Sequence, residues 1–328
     1  MTHRTLGKTG FHISDIALGT WQVGGKWGSA FDHTLADRIL REAIDSGINF
    51  IDTADVYGGG ESEKAVGRAV RASRERIYVA TKCGRQLKPH TDAAYTPAAL
   101  RGFVEQSLVR MGLDCLDLVQ LHCPPTPVYY RPEIFETFER LREEGKILHL
   151  GVSVEKVEEA LKAIEFDTVT TVQIIYNLFR QRPHDLFFPR AAEKNVGIIV
   201  RVPLASGLLT GAYSASTVFA PGDHRRDNRQ GEHFDRGETF AGIPYEVGLA
   251  AVDRVKALLP DQANLATMAL RWVLMRPEVS CVIPGASRPE QVAANLQAAN
   301  LPALSAGAMA GIRQIYEEDV KPWVHQVW

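Results

Sequence analysis

The 328-residue chain carries 37 basic and 39 acidic side chains, for a formal net charge of −2 and a pI near 6.6. That balance argues against a nucleic-acid binder held by phosphate contacts, and the length suffices to bury a large core without disulfide or metal staples. Cys83, Cys115, Cys123 and Cys281 form no C-x-x-C pair, no apolar run is long enough to span a membrane, and no signal-type segment opens the chain, so a cytoplasmic protein with reduced thiols is expected.

Residues 4–16 read as a hairpin turning at Gly7-Lys8-Thr9-Gly10, and 13–18 lead into a first core strand closed by Gly19-Thr20-Trp21. The chain then alternates. Helical spacing over 34–46 is followed by a strand at 50–51, a helix from about 61 and a strand at 77–80. Thr96-Pro97 supplies a cap and a first-turn proline for a helix ending near Met111-Gly112. Strands at 116–121, 149–152, 171–175, 198–202 and 279–283 follow, with helices at 132–144, 155–164, 184–194 and 264–275. About eight buried strands, most followed by a helix, indicate an α/β fold closed as a (β/α)8 TIM barrel with an N-terminal β-hairpin. One domain over 1–328 is expected. A doubly wound sheet would want G-x-G-x-x-G after the first strand, and Gly19-Thr20-Trp21-Gln22-Val23-Gly24 does not supply it.

Two segments fall outside the alternation. The polar stretch 214–245 is too long for a mere connection. In a barrel it follows the seventh strand and lies over the active-site mouth, or else it is a disordered surface insert. The tail 305–328 has a helical stretch ending near Tyr316, with Trp323 and Trp328 beyond; these tryptophans suit a barrel cap, a pocket wall or an oligomer contact.

Asp52, Lys82 and His122 each end an apolar run, and Tyr57 lies on the loop after the second strand. Carbonyl reduction needs such a set. A free phenol, with a pKa near ~10, is too weak an acid at neutral pH. A lysine ammonium beside it lowers that value, a carboxylate keeps the lysine charged, and a histidine orients the carbonyl oxygen. Each residue also has a plainer reading. Asp52 suits a cap and Tyr57 turn packing. Lys82 suits a surface position or a Schiff-base nucleophile, and His122 a core histidine or metal ligand. Cys83 and Cys123 adjoin Lys82 and His122, but adjacent strand residues point to opposite faces, so no metal is expected.

Phe50-Ile51-Asp52-Thr53-Ala54 with Tyr57-Gly58, Ala80-Thr81-Lys82 and Leu121-His122 together resemble the Asp–Tyr–Lys–His tetrad of the aldo-keto reductase superfamily, and the resemblance spans nearly the whole chain. It implies a (β/α)8 barrel, an extended nicotinamide cofactor and direct hydride transfer without a metal. It also implies cofactor contacts from Asp52, from Thr20 and Trp21 after the first strand, and from Ser153 and Gln173 at the carboxamide. Val154 stands where the family usually has asparagine. Arg201 stands where it usually has an aromatic residue stacked on the nicotinamide; a guanidinium can stack too, with Tyr176 as the alternative stacker and an ion pair as the other role for Arg201. Pro203, Leu204, Ser206 and Gly207 resemble the pyrophosphate segment. Gly285, Ser287, Arg288, Gln291 and Asn295 resemble the adenosine end, where a helix opens. Ala294 replaces a frequent glutamate. Gly285 and Gln291 replace a lysine and an arginine that many members place on the 2′-phosphate, so Arg288 is the remaining clamp and NADP is preferred over NAD.

The leading expectation is an NAD(P)-dependent reductase of an aldehyde, ketone or sugar, or the reverse alcohol or aldose dehydrogenase, acting on a small-molecule carbonyl without nucleic-acid or membrane partners. A cofactor-sensing binding subunit of the same fold and a Schiff-base aldolase using Lys82 are the other classes. Trp21, Trp27 and the 214–245 loop are the candidate pocket walls. Substrate identity and oligomeric state stay open.

Overall fold

The computed structural model describes residues 1–25, 30–260 and 263–328; Trp27, one of the candidate pocket walls, lies outside the described residues. Strands β1 (His3–Thr5) and β2 (His12–Ser14) pair antiparallel around a tight turn at Gly7–Thr9. Eight strands follow: β3 (Leu18–Gly19), β4 (Phe50–Asp52), β5 (Tyr78–Cys83), β6 (Leu116–His122), β7 (Ile147–Ser153), β8 (Val169–Ile175), β9 (Gly197–Arg201) and β10 (Val279–Val282). All are parallel, each hydrogen-bonded to its neighbour in sequence. Bridges between Ile16 and Val282 and between Gly19 and Gly285 join the first strand to the last, with Ala17 N donating to Val282 O at 2.9 Å. The sheet therefore closes into the (β/α)8 barrel.

Helices α1 (His33–Asp45), α2 (Glu61–Ala72), α3 (Pro97–Met111), α4 (Pro132–Glu143), α5 (Val157–Ala163) and α6 (Arg182–Glu193) alternate with the strands. After β9 come the short α7 (His224–Asp227), α8 (Tyr245–Lys256) and α9 (Leu265–Leu274); after β10 come α10 (Pro289–Asn300), α11 (Ala306–Ile315) and α12 (Lys321–Val324). Local chemistry sets the ends. Asp32 caps α1 by accepting from Leu35 N at 2.9 Å. Thr96 caps α3, which opens on Pro97 and stops at Gly112 in the left-handed conformation. The helical stretch of the tail does not stop at Tyr316: a single π turn, Tyr316–Val320, carries it on from α11 into α12. Among the described residues no helix is long and apolar enough to cross a membrane.

Three strands run further than apolar patterning suggests. β4 includes Asp52, β5 continues through Lys82, and β6 includes His122. A reading that stops at the first polar side chain ends too soon here. The inward polar residues stay within the ladder, where Lys82 is the register partner of Gln120 and His122 of Ser153.

Two apolar layers result. Phe50, Ala80, Leu118, Ile199 and Cys281 fill the barrel, and Leu6, Phe11 and Ile13 of the hairpin plug its amino-terminal end. The outer layer packs the strands against the helices. Part of that layer depends on a missing side chain. Gly67 of α2 lies against the end of α3, and a Cβ there would sit 2.2 Å from Met111 O. Alanine at an exposed helix position stabilises relative to glycine by about 1 kcal/mol. Here Gly67→Ala is expected to do the opposite and lower stability by about 1–3 kcal/mol, because the obstacle is backbone; urea unfolding of the two proteins checks the sign.

Candidate active site

Asp52 ends β4, and Lys82 lies on β5 two residues beyond Ala80, the register partner of Asp52. Both side chains face into the barrel mouth. Lys82 is 1% exposed, and its Nζ donates to Asp52 Oδ1, to Thr53 O at 2.9 Å and to Tyr57 Oη at 3.3 Å. Tyr57 opens a tight turn in which Gly58 and Gly59 adopt left-handed angles. That turn swings the half-buried phenol back over the mouth. The Tyr57 ring meets His122, the last residue of β6, edge-on at 6.0 Å.

Charge state follows from these surroundings. Burial works against the Lys82 ammonium, but Asp52 and Tyr57 outweigh it and hold its pKa above the ordinary lysine value. For Tyr57 the balance differs from the expected lowering. Burial raises the phenol and Lys82 pulls it down, yet burial wins and the net direction is up. Burial, with Arg85, Lys82 and Arg201 nearby, drives the His122 imidazole well below its usual value, so it is neutral at neutral pH. Its buried Nδ1 has no hydrogen-bond partner among the described residues. Nearby Asp55 is fully buried with both carboxyl oxygens likewise unpartnered. Burial, with Glu63 adding, raises its carboxyl to about 7.

The second oxygen of Asp52 is also held. Gln173 Nε2 donates to Oδ2 at 2.7 Å and Gln120 Nε2 at 3.1 Å, and Gln173 Nε2 lies 3.3 Å from Gln120 Oε1. Gln120 was not among the expected site residues. Its signal was available: it is an amide in a mainly apolar strand, two residues before His122 and so on the same face. Thr20 turns its hydroxyl to Asp52 O at 3.0 Å and to Ser62 Oγ at 2.8 Å. Ser153 Oγ has Cys123 Sγ as a weak partner at 3.5 Å. Val154 buries its side chain in the outer core.

A second charged group crosses the mouth. Arg201 donates through Nη2 to Glu155 Oε2 at 2.8 Å and to Val154 O at 3.0 Å, and its Nη1 lies 3.4 Å from Glu238 Oε2. Both terminal nitrogens of Arg85 reach Glu238 Oε1 at 3.1 Å. Of the two roles considered for Arg201, the ion pair is therefore present. Tyr176 does not reach the mouth. It is fully buried, stacked on Trp272 at 4.9 Å, and its hydroxyl accepts from Arg276 Nε at 3.0 Å. Burial opposes charge on both carboxyls of the Arg201 group. Arg85 and Arg201 overcome it at Glu238, holding that group below its ordinary value, while at Glu155 burial prevails and pushes the carboxyl up. Cys123, Glu155 and Glu238 offer possible metal-ligand atoms within 4.8 Å of one another. Arg201 reaches all three, with Cys123 Sγ at 3.6 Å, so a guanidinium already stands where a cation would.

Glu238 belongs to the 214–245 loop and pairs with Arg85, just beyond β5, and with Arg201, the last residue of β9. His224 and Phe234 of the loop meet Trp21 edge-on at 4.8 Å and 6.5 Å. Ser206 donates to Glu238 O at 2.9 Å and accepts from Phe240 N at 3.2 Å, binding the loop to the segment that contains buried Pro203 and half-buried Leu204. Trp328 supports the loop from beneath: its indole donates to Asp235 Oδ1 at 2.8 Å, and Arg180 lies 4.2 Å over its ring. Trp323 is half exposed. At the far side, Ser287 N and Oγ donate to Gln291 Oε1 at 2.7 Å and 3.1 Å, Asn295 Nδ2 is 3.4 Å from Gly285 O, and exposed Arg288 precedes α10.

Comparison with known proteins matches residues 15–317 to the model of the Aldo/keto reductase family. The chain is 31% identical over 303 residues to aldo-keto reductase YhdN of Bacillus subtilis (strain 168), covering 90% of this chain and 87% of that protein. It is 29% identical over 320 residues to the NADH-specific methylglyoxal reductase of Escherichia coli (strain K12), covering 90% and 93%. The solved glycerol dehydrogenase AKR11B4 from Gluconobacter oxydans matches with a TM-score of 0.78 at 30% identity, covering 97% of this chain and 96% of that one.

Two outcomes follow from the loop contacts. Glu238→Gln leaves Arg85 and Arg201 short of a counter-charge and is expected to lower stability by about 1–3 kcal/mol, the partial exposure reducing the full buried-pair value. Limited proteolysis should then cut within 214–245 faster than in the parent. His224 is buried, and burial lowers its imidazole to about 4. An unfolded histidine titrates near ~6.5, so neutral His224 supports the fold above that pH, and the support is lost as pH falls from there toward 4. Urea midpoints should fall more steeply over that window in the parent than in His224→Gln.

Proposed function

The chain belongs to the aldo/keto reductase family, and from that premise we propose that it is an oxidoreductase reducing the carbonyl group of a small aldehyde, ketone or sugar, with Tyr57 as the proton donor. One observation carries the reading: Tyr57 Oη lies 3.3 Å from the Nζ of a fully buried lysine that is itself paired with Asp52. The family uses NAD(P)H, and the residues present suit it. Ser153 and Gln173 are register partners whose hydroxyl and amide face the mouth together, a donor set matched to a carboxamide. Thr20, Trp21, Pro203, Leu204 and Ser206 would line the middle of the cofactor. Gly285, Ser287, Gln291 and Asn295 would hold its adenosine end, with Arg288 at the start of α10 reaching a 2′-phosphate, which favours NADP. Arg201, though ion-paired, has a buried Nε without a partner among the described residues, and its guanidinium plane would flank the nicotinamide.

When bound, NAD(P)H supplies the hydride that goes to the carbonyl carbon. Tyr57 gives its proton to the carbonyl oxygen. Its raised pKa keeps that proton in place at neutral pH. Lys82 stabilises the phenolate left behind, and Asp52 keeps the ammonium charged and aimed. Neutral His122 donates a hydrogen bond to the same oxygen, orienting it and stabilising charge that develops there. In the oxidative direction the same groups act in reverse, with the phenolate taking the alcohol proton. The names of the relatives, a methylglyoxal reductase and a glycerol dehydrogenase, favour small oxygenated substrates.

The test is oxidation of NADPH or NADH in the presence of a panel of small carbonyl compounds. Tyr57→Phe should fold normally and lose turnover by about 10²–10⁴-fold. Full turnover in that variant removes the proton-donor role, and comparing kcat/KM for the two cofactors reads the preference.

A further inference from the structure

Asp52 has two carboxyl oxygens, and the proton-transfer scheme uses one. The other, Oδ2, receives two amide donors, Gln173 Nε2 at 2.7 Å and Gln120 Nε2 at 3.1 Å. Gln120 is completely buried. It is the register partner of Lys82 on one side and of Gly151 on the other. From β6 its side chain reaches past β5 to the acid on β4. The barrel makes room for that reach. A Cβ at Gly151 would sit 3.2 Å from Gln120 Cγ and 2.1 Å from Thr171 Oγ1, so the missing side chain on β7 is what lets the amide lie across the interior.

A barrel layer is ordinarily filled by branched apolar residues, and the layer beneath is apolar here, with Leu118 on the same strand. A primary amide buried in that setting is costly unless its groups are paired. Gln120 donates to Asp52 and accepts from Gln173, so its polar groups are directed at the acid of the proposed tetrad and at the amide proposed for the cofactor. We propose that Gln120 is a positioning residue: it fixes the free oxygen of Asp52, and through Asp52 the Lys82–Tyr57 contact on which proton transfer depends. The proposal rests on the reading of Tyr57 as proton donor.

Two consequences separate this role from simple packing. Asp52 charge raises the Tyr57 phenol. An N–H dipole aimed at Asp52 offsets part of that charge, so its removal makes the potential at Tyr57 more negative and drives the phenol further up. In addition, Gln173 would become the only amide on Asp52 Oδ2, and would be less available to a carboxamide. The other groups facing this region stay as they are in the variants below. Lys82 and Glu238 act on Tyr57 by charge, and His122 meets its ring. Arg85 and Arg201 stand near His122, and Asp55 lies near Lys82. On β10 the Cys281 thiol faces Asp52 but is held well above its ordinary value by burial, so it remains neutral.

The experiment compares Gln120→Met, of similar length without the amide, and Gln120→Glu, of similar shape with an added acid. One measurement is the pH profile of kcat and KM for carbonyl reduction. The other is the ultraviolet titration of the Tyr57 phenol, taken as the difference between each protein and its Tyr57→Phe counterpart. The expected result is an upward shift of phenol titration and of the alkaline limb by about 0.5–1 unit in Gln120→Met and more in Gln120→Glu. kcat should fall about tenfold with KM for the carbonyl substrate little changed. Both variants titrating at the parent pH, with superimposable profiles and only lower thermal stability, would overturn the proposal. Should Gln120→Met fail to fold, Gln120→Glu and Gln120→Asn take its place, and the same presence or absence of an upward shift decides. If Tyr57→Phe retains full turnover, the proton-donor reading falls, and the phenol titration, which needs no turnover, still tests Gln120.

Discussion

The interaction on which the mouth of this barrel depends is the buried pair of Lys82 and Asp52. An ammonium withdrawn from water is strongly disfavoured unless an anion and further acceptors meet it. Here Asp52 Oδ1, Thr53 O and Tyr57 Oη do so. The requirement propagates outward. Asp52 must come from the adjacent strand, one step below. Tyr57 must return over the pair, and two left-handed glycines make that return possible. The remaining carboxylate oxygen needs donors too, and the interior supplies amides rather than more charge.

A second, separate charge set lies across the same opening, and its job differs. Glu155, Arg201, Arg85 and Glu238 join the ends of β5, β7 and β9 to the long loop. The inner pair is closed off from solvent, whereas Arg85 and Glu238 keep about a fifth of their side-chain surface exposed. Screening therefore weakens the outer set more than the inner one. The two sets touch electrically, since Glu238 bears on the Tyr57 phenol. The position of the loop is thus felt at the Tyr57 phenol through charge.

Much of this was legible in the amino-acid order. The alternation of short apolar runs with amphipathic segments carries the barrel, because a parallel strand buried on both faces reads as an unbroken apolar stretch. The site was legible where a polar residue interrupts such a stretch, as at Asp52, Lys82 and His122. It was missed at Gln120, which interrupts β6 in the same way but lacks a charge to draw notice. Strand ends were drawn too early for the same reason: inward polar groups look like exits when their partners lie on other strands. What patterning cannot supply is the pairing of distant segments. Glu238 meeting Arg201, Trp328 beneath the loop, and Tyr176 turned toward Trp272 are contacts between elements far apart in the chain. The direction of the Tyr57 shift was not legible either. It is set by how much water is removed, a three-dimensional quantity, and not by which residue stands nearby.

The hairpin gives the barrel a floor. Leu6, Phe11 and Ile13 pack against Phe50, Ala80, Leu118, Ile199 and Cys281, so apolar side chains close the amino-terminal end. An end filled with apolar side chains offers a polar solute no partner. The hairpin, far from Lys82 and Tyr57, thus helps decide which end of the barrel a polar molecule can approach.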